Sequence, residues 1–107
     1  MKVTKVAAGI CGFHSEISAS SQEGRQVDIV FRTDCPNLKP LEEELTQVDA
    51  FKECFAKVGD SPVFHLARKY CKHAACPVPT AIIKAVEVAG KLALPKDVVI
   101  EFVDDAQ

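Results

Sequence analysis

Residues 14–33 read His-Ser-Glu-Ile-Ser-Ala-Ser-Ser-Gln-Glu-Gly-Arg-Gln-Val-Asp-Ile-Val-Phe-Arg-Thr, and this stretch decides the fold class. Ile17 and Ala19 fall on one face of an extended chain, as do Val27, Ile29 and Phe31. That period of two marks half-buried strands. Gly24, between the two runs, offers the positive φ that a tight turn needs, so residues 14–20 and 27–33 are expected to pair as a hairpin. A short strand near residues 3–8 is expected to join them. Val98 to Val103 reads as a last strand, with Val98, Ile100 and Phe102 facing inward.

The middle of the chain has helical spacing. Leu38, Leu41 and Leu45 form one stripe, with Glu42, Glu43 and Glu44 in solvent. Phe51, Cys54, Phe55 and Val58 follow the i, i+3, i+4, i+7 rule, between an Asp49 N-cap and a Gly59 stop. Ser61 and Pro62 are a cap and a first-turn proline. The helix they open has Val63, Leu66, Ala67 and Tyr70 on its apolar face and ends in Arg68, Lys69, Lys72 and His73. A final helix from Pro79 to Lys91 buries Ile82, Ile83, Val86 and Ala89. The order β-β-β-α-α-α-β makes an α+β fold, an antiparallel sheet of about four strands with helices on one face. Its 107 residues suit a single domain, 1–107.

Lys and Arg number 13 against 15 Asp and Glu, a net charge of -2. Nothing in that balance supplies the positive field by which proteins neutralise phosphates, so no nucleic-acid partner is expected. Hydrophobic residues are 48% and charged residues 26%, the mix of a folded chain. No apolar run approaches the roughly 20 residues of a membrane span. Val6 to Ile10 is shorter than the about 7–15 apolar residues of an export signal, which points to the cytoplasm.

Five cysteines in so short a chain are the informative feature. Their odd number and the missing export signal argue against a disulfide framework and for metal or thiol chemistry. Cys11 lies in a Gly-Ile-Cys-Gly-Phe turn, Cys35 after the third strand, Cys71 at a helix end, and Cys76 just before the last helix. Cys54, mid-helix on an apolar stripe, reads as a small core residue. Cys35 and Cys76 both precede proline, which drives them out of helical geometry and sets the proline in a helix's first turn. The free N–H groups there are expected to lower the Cys76 pKa. Cys71-x4-Cys76 can bend toward one ion, and with Cys11 and Cys35 makes four thiolates suited to zinc or an iron–sulfur cluster. His73 could replace one ligand but reads more simply as a helix C-terminal cation. His14 and His65 carry no partner signal. No phosphate loop, nucleophile elbow or carboxylate pair appears.

Asp34-Cys35-Pro36-Asn37-Leu38 and Cys71-x4-Cys76-Pro77, followed by a helix, resemble the TSCPD domain, which occurs alone or appended to certain vitamin B12-dependent ribonucleotide reductases. Cys35, Cys71 and Cys76 match its cysteines, which are thought to bind a metal. The likeness covers roughly residues 27–90. Ala74, Ala75 and Val78 stand where that family has Thr, Ser and Asp, an extra helix separates the motifs, and Cys11 has no counterpart. The chain also looks like small uncharacterised prokaryotic proteins marked by Cys-Gly-Phe, Asp-Cys-Pro and Ala-Cys-Pro-Val-Pro.

These features lead to an expected metal- or cluster-binding domain with Cys11, Cys35, Cys71 and Cys76 as ligands. One rival is a thiol redox or sulfur-handling protein with Cys76 as nucleophile and Cys71 as resolving thiol. Another is an interaction module, without chemistry, that uses Val78, Ile82 and Ile83 to form a homodimer or meet a protein partner.

Overall fold

The alternation along residues 26–33 governs the architecture. In the computed structural model, which describes residues 2–105, Val27, Ile29, Phe31 and Thr33 are buried while Gln26, Asp28, Val30 and Arg32 are exposed. One face of this strand therefore meets a core and the other meets water. The strands are β1 (Lys2–Ala7), β2 (His14–Ser20), β3 (Gln26–Thr33) and β4 (Gln47–Asp49), interleaved with helices α1 (Leu41–Glu44), α2 (Ala50–Cys54), α3 (Pro62–Ala67) and α4 (Val78–Ala89). The sheet order is β1-β2-β3-β4, and every neighbouring pair is antiparallel. Gly24 has φ +92, as the hairpin turn requires.

The α+β class, the antiparallel sheet of four strands and the helices on one face agree with the sequence reading. The element order does not, because the fourth strand is β4 and not Val98–Val103. The place beside β3 is taken by a segment tied into it. Val48 pairs with Val27, Gln47 bonds Asp28 at 3.0 Å, and Asp49 meets Arg25 at 3.0 Å. Residues 98–103 are left extended and exposed.

The helices are shorter than their apolar spacing predicts. Leu38, Leu41 and Leu45 are buried, but only Leu41–Glu44 is helical, since Leu38 sits in the turn that follows Cys35. Glu42 is not simply solvated, because its carboxylate accepts the Thr33 N–H at 3.0 Å. Asp49 caps α2 as expected, accepting from the Phe51 and Lys52 N–H groups. That helix ends at Cys54, however, and Phe55 and Val58 are exposed instead of forming a buried stripe. Ser61 caps α3 through the Phe64 N–H.

α4 lies across β1 and β2 with Ile82 and Val86 fully buried. Val78 and Ile82 belong to the core, and Ile83 packs against it. The start of α4 is thus not the dimer surface that its apolar residues suggested. Among the described residues no helix is long and apolar enough to cross a membrane.

Candidate functional site

Where β3 leaves the sheet, polar contacts hold the chain on both sides of Cys35. Asp34 exchanges two bonds with the start of β2. Its Oδ1 accepts the His14 N–H at 2.6 Å, and its N–H donates to His14 O at 3.1 Å. Thr33 turns its hydroxyl inward, within 2.8 Å of Ser15 Oγ, and accepts the Cys35 N–H at 3.1 Å. Cys35 O then accepts the Leu38 N–H at 3.2 Å, opening the turn that proline requires.

The Cys71–Cys76 segment closes around one carbonyl. Cys71 N–H completes the last turn of α3 by donating to Ala67 O at 2.8 Å. His73 O accepts both the Cys71 thiol at 3.4 Å and the Cys76 N–H at 3.1 Å. Four intervening residues are thereby folded into a compact loop that brings the two cysteines together.

α4 is oriented so that this loop faces Cys35. Its far end, at Gly90, packs on Gly24 in the β2–β3 turn, while its near end stands at the opposite end of the sheet, where Thr33 and Asp34 emerge. The Cys76 thiol lies close enough to the Val78 N–H, the Cys71 thiol and Cys35 for each of them to act on its charge. All three cysteines are half-buried against the core. The turn after β3 and the loop between α3 and α4 thus bring Cys35, Cys71 and Cys76 toward one corner.

Cys11 takes no part in that cluster. It is exposed on the β1–β2 turn, whose Gly9 and Gly12 both have positive φ. The turn does lie at the same end of the sheet, because Ala7 pairs with His14 and His14 bonds Asp34. Cys54 is elsewhere, at the end of α2, where burial pushes its thiol up to about 11, with the charges of Glu87 and Glu53 adding to the effect. It packs against the core.

The expected acidity of Cys76 is overturned. Burial pushes its pKa up to about 11; the Val78 N–H pulls it down, but the Cys71 hydrogen bond and the charges of Cys71 and Cys35 push it up again. One helix N–H does not compensate for desolvation and two neighbouring thiols. At neutral pH Cys76 is a protonated thiol and not a standing nucleophile.

A trio of sulfurs suits a soft, thiophilic cation. Among the described residues, no group of three or more His, Cys, Asp or Glu side chains is arranged to hold a metal ion. The side chains of His14, His65 and His73 are exposed. The Thr33 hydroxyl and the His73 carbonyl, which position the cysteines, escaped sequence reasoning. Thr33 left a faint trace as a polar residue on the buried face of β3, whereas a backbone carbonyl leaves none.

A family model described as a family of unknown function (DUF6951) matches residues 2–102. Searches of curated proteins and of solved structures each returned no match.

Proposed function

The chain belongs to the DUF6951 family, a family of unknown function, so its activity has to be argued from its own thiols, and we propose that it binds a thiophilic metal centre. Cys35, Cys71 and Cys76 are the ligands of this reading and Cys11 is the fourth. The observation that carries it is the nearness of Cys71 and Cys76 on the α3–α4 loop, with Cys35 from the turn after β3 in electrostatic range. Cys76 resists ionisation, because burial and the neighbouring thiols oppose formation of its thiolate. A divalent cation reverses that balance by supplying the opposite charge. The Val78 N–H would then hydrogen-bond the Cys76 sulfur and support its negative charge. Binding would turn the sulfurs toward a common point, and the exposed Cys11 turn would close over the ion.

Thiols that interact directly suit one tetrahedral ion such as zinc better than an iron–sulfur cluster, whose ligating sulfurs sit on separate irons. The likeness of Cys35, Cys71 and Cys76 to the TSCPD motif supports the same ligand set.

Protein purified without oxygen or chelator should retain about one zinc per chain, or a coloured cluster if iron is the metal. Cobalt(II) titration should give a thiolate charge-transfer band, and Cys76→Ser should abolish it. Because the thiols lose protons on binding, affinity should weaken steeply as pH falls. Metal-free protein that gives no band with cobalt or cadmium overturns the proposal.

The contact between Cys71 and Cys76 favours one second reading, a dithiol redox pair. In that reading Cys76 is not the neutral-pH nucleophile. A Cys71–Cys76 disulfide in metal-free protein, formed and reversed under mild redox conditions, would support it.

A further inference from the structure

The acidic turn α1 reaches in two directions. Leu41 and the adjoining Leu45 are buried and seat it on the core. Glu42 and Glu44 lie two positions apart, a rotation of about 200° around a helix, so their carboxylates point nearly opposite ways. Glu42 accepts the Thr33 N–H at 3.0 Å, at the end of β3. Glu44 accepts the Tyr70 hydroxyl, three residues past the end of α3. One helical turn thus connects the strand that delivers Cys35 with the helix that delivers Cys71.

Further bonds carry the connection to the thiols. Thr33 Oγ1 accepts the Cys35 N–H at 3.1 Å. Cys35 O accepts the Leu38 N–H at 3.2 Å, and Leu38 O accepts the Leu41 N–H at 2.9 Å, so Cys35 is tied to α1 from both sides. At the other end, Ala67 O accepts both the Tyr70 N–H at 3.0 Å and the Cys71 N–H at 2.8 Å. Tyr70 and Cys71 are held by one carbonyl and move together. Cys71 in turn shares His73 O with Cys76.

We infer that the Tyr70–Glu44 hydrogen bond is a brace that sets the separation between Cys35 and the Cys71–Cys76 loop, which makes Tyr70 and Glu44 positioning residues for the thiol site. The inference rests on the reading of that corner as a ligand site.

Packing alone does not call for this pair. The Tyr70 ring is partly buried against the core, a task that phenylalanine performs as well, and Glu44 is exposed. What the hydroxyl adds is a bond to a charged acceptor, which is stronger than a neutral one. The bond joins residues 26 apart in sequence, so it governs how two elements sit and not how either one folds. Ligands drawn from the turn after β3 and from the α3–α4 loop bind more weakly when the two are free to separate, because binding must then order them.

Cobalt(II) titration of the full chain and its variants tests the brace. Tyr70→Phe and Glu44→Ala should each weaken binding about fivefold. The double variant should be no weaker than either single one, because both remove the same bond. Glu44→Gln keeps an oxygen that can accept the hydroxyl and should stay within about twofold of wild type. A second measurement needs no metal. With Cys71→Ser at mildly alkaline pH, a short bis-alkylating reagent should bridge Cys35 to Cys76, as peptide mass spectrometry would show. Adding Tyr70→Phe or Glu44→Ala should cut that yield about threefold or more. Bridging that depends on Tyr70 in a protein that gives no cobalt band would support the brace and remove the metal reading. Bridging and cobalt affinity both indifferent to Tyr70→Phe and Glu44→Ala overturn the brace and leave the metal reading standing. Losses that add in the double variant also overturn it, because the two side chains would then act separately.

Discussion

Gly90 and Ala50 stand so close that a Cβ on Gly90 would come within 2.9 Å of the Ala50 Cβ. The same added carbon would lie 3.1 Å from Gly24 O. The C-cap of α4 thus fits between the β2–β3 turn and the start of α2, and this fit aims the other end of α4 at Cys35. Gly90 has φ -80, so the demand is for space and not for an unusual backbone. Gly90→Ala is therefore expected to destabilise the fold by about 1–3 kcal/mol through overpacking. Urea denaturation would measure it. An unchanged midpoint would mean that the helix end moves freely.

Glu53 links α2 to α3 and offers a second test. Its side chain is buried, and its two oxygens accept the Val63 N–H at 3.2 and 3.1 Å. Burial holds its pKa above the usual value, although the bonds from Val63 and Ser61 pull it down. A carboxyl pKa raised by folding favours the protonated form. Its contribution is full below the unfolded value and is lost as pH rises through the folded one. Glu53→Ala strands a buried N–H and should destabilise by about 1–3 kcal/mol. Glu53→Gln keeps an acceptor without the buried charge and should stay within about 1 kcal/mol of wild type at neutral pH. Thermal melts of the two variants separate the effects.

How far the sequence could be read depended on whether each signal was local. The hairpin was legible because Gly24 and the alternation flanking it act within twenty residues. Asp49 and Ser61 were legible as caps because each bonds an N–H two or three residues on. The strand expected over residues 98–103 does not form, because the alternation of Val98, Ile100 and Phe102 does not reveal that β4 already takes the place beside β3. β4 was hidden because three residues are too few to display a period. The stripe Phe51, Cys54, Phe55 and Val58 misled, because helical spacing does not reveal that the backbone leaves the helix after Cys54. For the candidate site, Cys71 and Cys76 lie together on one loop with Cys35 in electrostatic range, while Cys11 stands apart on its exposed turn, because a position at an element end does not say which ends the fold brings together. The pKa direction of Cys76 was misread because burial comes from distant elements.

Thiol chemistry gives the third prediction. Cys54 and Cys76 are both pushed up to about 11, chiefly by burial. Both should resist iodoacetamide at pH 7, whereas the exposed Cys11 should be alkylated first, as peptide mass spectrometry would show. Folding raises these pKa values above the ordinary 9.0, so the native state holds its protons while the unfolded chain loses them. Stability should therefore be steady below about pH 9 and fall as pH rises toward 11. Cys54→Ala should flatten that alkaline decline. A decline as steep in the variant would show that Cys54 does not contribute to it.

The last prediction concerns the acid side and rests on Asp49. Burial raises its carboxyl pKa, but the hydrogen bond from Arg25 and the N–H groups of Lys52 and Phe51 outweigh that and hold it below the ordinary 3.8. Arg25 is held in turn, with its guanidinium 5.1 Å from the centre of the Phe51 ring. A carboxyl pKa depressed by folding contributes stability that is full above the unfolded value and is lost as pH falls through the folded one. Asp49→Asn preserves an acceptor suited to an N-cap but removes the charge that meets Arg25. The variant should melt below wild type at pH 7, and the gap should shrink as pH drops below about 4. Added salt should narrow the gap at pH 7, because the ion pair is partly exposed. A gap that stayed constant from pH 7 to pH 2 would assign the effect to packing or cap geometry and remove charge from the account.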